Sequence, residues 1–379
     1  MNESSVDQTS GNAGEKEPSQ PRRLVLVRST SRKDAAMTLP IEAAVRSLSR
    51  AAEGDGEHAK LERRLDDLQA LLADDLAWVE VALSDATSRG ERPAREAARH
   101  LVLRGGKRVR PTALLLSAAC FGPVPAAARE LALVAELIHS ATLLHDDVID
   151  DGTERRGAPT SRTVWGNAVS VLAGDLLLVE ALDRTGRHAP TILPNLFSTL
   201  RQLVDGEVVQ LRGRRELDAS RDTYDRVLRG KTASLFRFAT GVGARLGGAS
   251  EADQERLGLF GELVGMAFQL VDDALDYGDE STRKTALSDL RDGKMTLPLV
   301  LALERHPELL VEVRSIHRGD DAPLGEVRRR VLESGACDEV RKLAQAKTER
   351  ALEVLRSVPR SDARTLLEEL VDGLSHRDA

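Results

Sequence analysis

Along most of this chain apolar side chains return every three or four positions. Leu61, Leu65, Leu68, Leu71 and Leu72 do so, then Leu76, Val79, Val81 and Leu83, the spacing that lays one apolar stripe along a helix. The pattern resumes between breaks at Gly105-Gly106, Pro111, Gly122 to Pro125, Gly152, Pro190, Pro194, Gly247-Gly248 and Pro307. Segments of roughly ten to twenty-five residues between such breaks have the length of helices joined by short turns. No strong two-residue alternation and no fixed-length repeat interrupts them, and aromatic residues make up 3% of the chain, which further disfavours sheet. The pattern predicts an all-α fold, with one large multi-helix domain over 56–379. Residues 1–55 are rich in Ser, Glu, Gln, Asn and Gly and are expected to form a disordered polar tail. Its short stretch Arg22-Arg23-Leu24-Val25-Leu26-Val27-Arg28 reads most simply as part of that solvated tail.

Composition narrows the function. Of 379 residues, 41% are hydrophobic and 30% charged, enough for a sizeable core. The net charge of −7 argues against a nucleic-acid binder held by phosphate charge. Cys120 and Cys337 lie far apart with no partner at metal-ligand spacing, so neither a disulfide framework nor a zinc site is expected. The longest apolar candidates, such as Val169 to Leu182, are broken by Asp175, too short for a membrane span. No leader or lipidation pattern is read at the termini. The expectation is a cytoplasmic protein with no membrane span, whose contact with a membrane, if any, is peripheral.

The sharpest feature is Leu143-Leu144-His145-Asp146-Asp147-Val148-Ile149-Asp150-Asp151, where acidic residues close an apolar run beginning near Leu131. On a helix Asp146 and Asp150 project from one face about a turn apart, with Asp147 beside them, and like charges so placed repel. Alone, the cluster would read as a solvated acidic helix end. It is repeated, however, in Gln269-Leu270-Val271-Asp272-Asp273-Ala274-Leu275-Asp276, with the same Asp-Asp-x-x-Asp spacing at the end of a second apolar run. Oxygen-only donor sets select hard cations, and Mg²⁺ is typically held by one or two carboxylates together with water and substrate phosphates. Paired clusters therefore suit a Mg²⁺-diphosphate clamp. The spaced acidic loop of an EF-hand, with its central Gly and final Glu, is missing.

A clamp of this kind needs cations beside it. Gly105-Gly106-Lys107-Arg108-Val109-Arg110-Pro111 offers Lys107 and Arg110 after a flexible Gly pair; Arg155-Arg156-Gly157 follows the first cluster, and Gly230-Lys231-Thr232, Lys284 and Lys294 come later. None of these is a P-loop, because Asp225 stands where its first Gly is required and Lys107 is followed by Arg108. His139 and His145 fall on nearly opposite helix faces, so they make poor co-ligands; His139 reads either as a hydrogen-bonded core residue or as a phosphate contact.

Taken together, the Gly-Gly-Lys-Arg-Val-Arg-Pro motif, His145 to Asp150, Arg155-Arg156-Gly157, Gly230-Lys231-Thr232, Gln269 to Asp276 and the run Asp292-Gly293-Lys294-Met295-Thr296-Leu297-Pro298-Leu299 resemble the trans-isoprenyl diphosphate synthase (polyprenyl synthetase) family. The order of six motifs makes the resemblance specific, and it covers about residues 70 to 376 but not the N-terminal tail. It implies an isoprenoid-synthase fold around a deep central cavity, a homodimer, and prenyl transfer between an allylic diphosphate and isopentenyl diphosphate. By that resemblance Asp146, Asp147, Asp150, Asp272, Asp273 and Asp276 hold Mg²⁺. Arg155, Lys231, Thr232, Gln269, Lys284 and Lys294 contact the allylic diphosphate, and Lys107, Arg110, His139 and Arg156 hold isopentenyl diphosphate.

In the family, side chains just before the first aspartate motif form a wall that limits product length. Here those positions are Ala141 and Thr142, with Ile138 a turn below, and none is aromatic. The stretch from Glu136 to His145 looks most like the long-chain octaprenyl-type branch, implying a heptaprenyl to decaprenyl (C35–C50) product. The alternatives are a geranylgeranyl (C20) product and a non-catalytic partner subunit, the latter disfavoured because both aspartate motifs are intact.

Overall fold

The structure, a computed structural model, describes residues 72–278 and 287–375. The expected tail over 1–55, the start of the helical domain up to 71, and Lys284 lie outside the described residues. The chain runs through helices α1 (72–86), α2 (Ala94–Val102), α3 (Val109–Ala119) and α4 (Ala126–Ile149), then a two-residue antiparallel hairpin, β1 (Glu154–Arg155) with β2 (Ala158–Pro159). There follow α5 (Ser161–Trp165), α6 (Asn167–His188), α7 (Leu193–Glu216), α8 (Arg221–Val227), a π-helical turn over Leu228–Ala233, α9 (Ser234–Leu246) and α10 (Glu251–Leu275). The last helices are α11 (Ser288–Arg291), α12 (Leu297–Arg305), α13 (Leu310–His317), α14 (Leu324–Glu333), α15 (Ala336–Arg356) and α16 (Asp362–Ser375). The all-α expectation holds.

Two helices organise the site because long stretches of each are buried. From Leu131 to Ile138 every residue of α4 is buried, as a run that is apolar apart from Glu136, which pairs with Arg108, requires. It is enclosed by α6, α3 and α9. Helix α10 starts at an N-cap, Ser250, whose side chain accepts a hydrogen bond from the Asp253 N–H. It then runs between α9 and α15. Its first half joins the core built on α4, and its second half joins a smaller core with α12 to α15. Both helices end at their aspartate clusters, with Asp150 and Asp276 as C-caps.

Glycine sets a third element in place. A Cβ on Gly206 of α7 would lie 2.6 Å from the Lys231 nitrogen, and one on Gly230 would lie 2.8 Å from the Gln202 carbonyl. Helix α7 and the π-helical turn therefore cross backbone on backbone, which only glycines at the crossing allow. That crossing carries Lys231 to the aspartates, and a π-turn at such a point is typical of functional sites.

Candidate active site

The C-terminal ends of α4 and α10 meet across one cavity of about 240 Å³. Asp146 and Asp150 from the first cluster and Asp273 from the second line it, together with Arg155, Lys231, Thr232, Gln269 and Lys294. Leu143, Val227, Leu228 and Met295 supply its apolar wall. Asp147, Asp272 and Asp276 stand outside the lining. Asp147 is turned inward, and its Oδ1 accepts from Arg155 Nε at 2.9 Å and pairs with Arg155 Nη2 at 2.8 Å. Burial raises its pKa, against the pull of Arg155 and with the help of Asp146 and Asp150. Asp276 Oδ2 accepts from the Asp289 N–H at 3.3 Å, which ties it to the first turn of α11.

Each carboxylate that reaches the cavity is matched to a donor. Asp146 Oδ2 lies 3.4 Å from Lys231 Nζ, which also forms an ion pair with Glu207. Burial works against the Lys231 charge, but Asp146 and Glu207 outweigh it and hold the ammonium above its ordinary value. Asp150 pairs with Arg214 through Oδ1 and lies 3.4 Å from Lys294 through Oδ2. Lys294 is in turn 3.2 Å from Asp289 and 3.1 Å from Asp292. Asp273 accepts from Tyr224 Oη at 2.7 Å and from Gln269 Nε2 at 2.9 Å, while Gln269 Oε1 accepts from Thr232 Oγ1 at 3.0 Å. Burial pushes the Asp273 carboxyl up to about 7, and the nearby Asp289 charge adds to it.

The donor chemistry fits a hard divalent ion, although among the described residues no group of three or more acidic, His or Cys side chains is close enough to hold one alone. Carboxylates of two separate clusters facing one cavity leave coordination positions for water or phosphate oxygen, the usual habit of small hard cations.

A second basic group lies beside the hairpin. Arg110 stacks its guanidinium 4.6 Å over the Phe236 ring, and its Nε is buried without a hydrogen-bond partner. Burial lowers its pKa to about 10, with Glu136 opposing the shift. Arg156 nitrogens come within 3.2 Å of the point where a side chain on Gly106 would begin, so the guanidinium packs closely over this glycine. Lys107 borders the same Gly pair. His139 is held neutral, well below the ordinary histidine value, first by its enclosure in protein and then by the charges of Arg110, Arg156, Arg155 and Arg108. The unfolded chain takes up that proton readily and the folded chain does not, so stability falls as pH drops below the ordinary histidine value of 6.5. Between pH 7.5 and about pH 5 the melting temperature of wild type is expected to fall relative to that of His139→Gln, because the variant lacks this loss. A constant gap between them would remove His139 as the cause.

The candidate wall residues lie lower on α4. Ala141 and Ile138 are fully buried in the core, and half-buried Thr142 donates its hydroxyl to the His139 carbonyl at 2.8 Å. Among the apolar residues of α4, it is Leu143 that lines the described cavity.

Several groups of the site escaped the motif reading. Glu207, Gln210 and Arg214 recur at three and four on one face of α7 and turn toward the carboxylates; Gln210 and Arg214 line the cavity, and Gln210 Nε2 is buried without a partner. Helical spacing was the available signal. Tyr224, which holds Asp273, had none.

A profile of the polyprenyl synthetase family matches residues 91–332. The chain belongs to this family. It is a prenyltransferase. It is 37% identical to an all-trans-nonaprenyl-diphosphate synthase (geranyl-diphosphate specific) of Rhodobacter capsulatus, over 80% of this chain and 95% of that one. It is also 37% identical to heptaprenyl diphosphate synthase component 2 of Geobacillus stearothermophilus, over 83% and 99% of the two chains. Among solved structures, a polyprenyl synthase from Caulobacter crescentus, complexed with calcium and isoprenyl diphosphate, superposes with a TM-score of 0.77 at 37% identity, covering 83% of this chain and 98% of that one. Membership implies a divalent metal and prenyl diphosphate substrates. No helix among the described residues is long and apolar enough to cross a membrane.

Proposed function

We propose that this protein is a trans-polyprenyl diphosphate synthase that adds isopentenyl units to an allylic diphosphate and makes a long-chain product, heptaprenyl to decaprenyl. The observation that carries the reading is the shared cavity, in which carboxylates of both aspartate clusters stand among Arg155, Lys231, Thr232, Gln269 and Lys294. The nonaprenyl and heptaprenyl relatives support the product class.

In this reading Asp146, Asp147, Asp150, Asp272, Asp273 and Asp276 would hold Mg²⁺. The ion neutralises charge on the departing diphosphate when bound. Lys231, Lys294 and Arg155 donate to the diphosphate oxygens as the C–O bond breaks, where preorganised cations act most strongly on developing charge. Thr232 and Gln269 fix the orientation of Asp273 and offer polar contacts to the same group. Leu143, Val227, Leu228 and Met295 keep water from the allylic cation. Lys107, Arg110, Arg156 and neutral His139 hold isopentenyl diphosphate, whose alkene attacks the cation; the proton then lost passes to the released diphosphate. Such a reaction asks for alignment of two substrates, not for a protein nucleophile.

The family's dimer is proposed for this chain as well. Val171, Leu172 and Val179 on α6, and Phe197, Val204 and Val208 on α7, all stand exposed on consecutive helices, apolar side chains that a partner copy would cover. Cytoplasmic residence is proposed from the two buried free cysteines.

Incubation of purified protein with farnesyl diphosphate, labelled isopentenyl diphosphate and Mg²⁺, followed by sizing of the products, is expected to give chains of C35 or longer. Absence of any condensation would refute the synthase reading, and a C20 end point would refute the long-chain part. In the same assay Ala141→Phe is expected to shorten the product by several isoprene units if Ala141 forms the wall, because an aromatic ring there would narrow the path of the growing chain. An unaltered ladder would take Ala141 out of the wall.

A further inference from the structure

Arg214 has no part in the motifs, yet it enters the cavity from α7 and forms an ion pair with Asp150 Oδ1, while Lys294 faces Asp150 Oδ2. Each oxygen of Asp150 thus meets a cation from another element. The two cations are not equivalent. Lys294 is shared with Asp289 and Asp292, whereas the Arg214 guanidinium is directed at Asp150, and both side chains are largely buried, at 16% and 15% exposure.

We propose that Arg214 is a positioning residue that stands in for the divalent cation at Asp150 and turns onto the diphosphate once a metal ion claims that carboxylate. The proposal rests on the reading of Asp150 as a metal ligand. The physical ground is competition. A dication bound at Asp150 Oδ1 competes with the guanidinium for that oxygen and repels its charge across a partly dehydrated site, which drives the arginine off. The displaced guanidinium remains in a cavity that also holds Lys231 and Lys294, and its planar fork of donors matches phosphate geometry. Helix α7 itself is pinned by the Gly206–Gly230 crossing, so the side chain moves and the helix does not. Metal alone then binds at the cost of an ion pair, while metal arriving with diphosphate regains it. Arg214 thereby couples the two ligands, each raising the affinity for the other.

The test uses the full chain and two calorimetric titrations, Mn²⁺ alone and inorganic pyrophosphate at saturating Mn²⁺. Relative to wild type, Arg214→Met is expected to bind Mn²⁺ alone about three- to tenfold more tightly and pyrophosphate about tenfold more weakly, the scale of one charge-assisted contact. Arg214→Lys keeps the charge, loses the fork and is expected to fall between; it also serves if the Met variant does not fold. A purely structural arginine would move neither titration in this opposed manner. Unchanged or weaker Mn²⁺ binding by the folded Met variant overturns the proposal. Asp150→Asn separates the two layers of inference: if it binds Mn²⁺ as wild type does, the metal-ligand reading of Asp150 fails. If it binds weakly while Arg214→Met changes nothing, the role of Arg214 alone fails.

Discussion

Asp146→Ala is expected to lower turnover by about three orders of magnitude or more, with the melting temperature nearly unchanged. Loss of one preorganised group that stabilises transition-state charge typically costs about a hundred- to a thousandfold, and here the loss extends to the ion that the carboxylate is proposed to hold. Lys231 would also be left with Glu207 as its remaining carboxylate of the pair that now flanks it, which redirects the ammonium away from the diphosphate. Stability should hardly change, because Asp146 sits among Asp147 and Asp150 and its removal relieves like-charge repulsion. Steady-state incorporation of labelled isopentenyl diphosphate beside a thermal melt decides the matter. Turnover within tenfold of wild type would mean that the first cluster is not the clamp.

The second large effect concerns folding. Arg108→Met is expected to destabilise the protein by about 3–5 kcal/mol, the usual result of breaking a buried ion pair from one side. The Arg108 side chain is 3% exposed and donates to Glu80 through Nε at 2.6 Å, to Glu136 through Nη1 at 2.5 Å and to the Val102 carbonyl through Nη2 at 3.3 Å. Removing it strands Glu136, whose side chain is 4% exposed, inside α4. Burial opposes the Arg108 charge, but Glu136 and Glu80 hold its pKa above the ordinary value. The residue also adopts a left-handed φ of 47° at the start of α3, a conformation that persists only where surrounding bonds enforce it. Denaturant melts should show the loss, and the double variant Arg108→Met with Glu136→Met should recover most of it. A single-variant loss under 1 kcal/mol, on the scale of an exposed pair, would contradict this account.

Arg108 also shows where sequence reading stops. In the motif it stands between Lys107 and Arg110, and its residue type does not set it apart from Arg110. Only the fold turns it inward to two glutamates from α1 and α4, while Arg110 is laid over Phe236. The same holds within the aspartate clusters. Six aspartates look alike on paper, yet Asp146, Asp150 and Asp273 reach the cavity, Asp147 is claimed by Arg155, and Asp276 braces the turn at Asp289.

What the sequence determined by itself was everything that depends on local periodicity and composition: an all-helical chain, two apolar helices ending in identical acidic steps, and a set of cations ordered around them. Helical spacing is a short-range property, and a carboxylate's need for counter-charge follows from its chemistry wherever it is placed. The tertiary structure alone decided which side chains face one another across helices far apart in sequence. Arg214 meets Asp150, Tyr224 meets Asp273 and Glu207 meets Lys231 because packing of α4, α7 and α10 brings their ends together, and no residue carries the identity of a distant partner in its own local pattern.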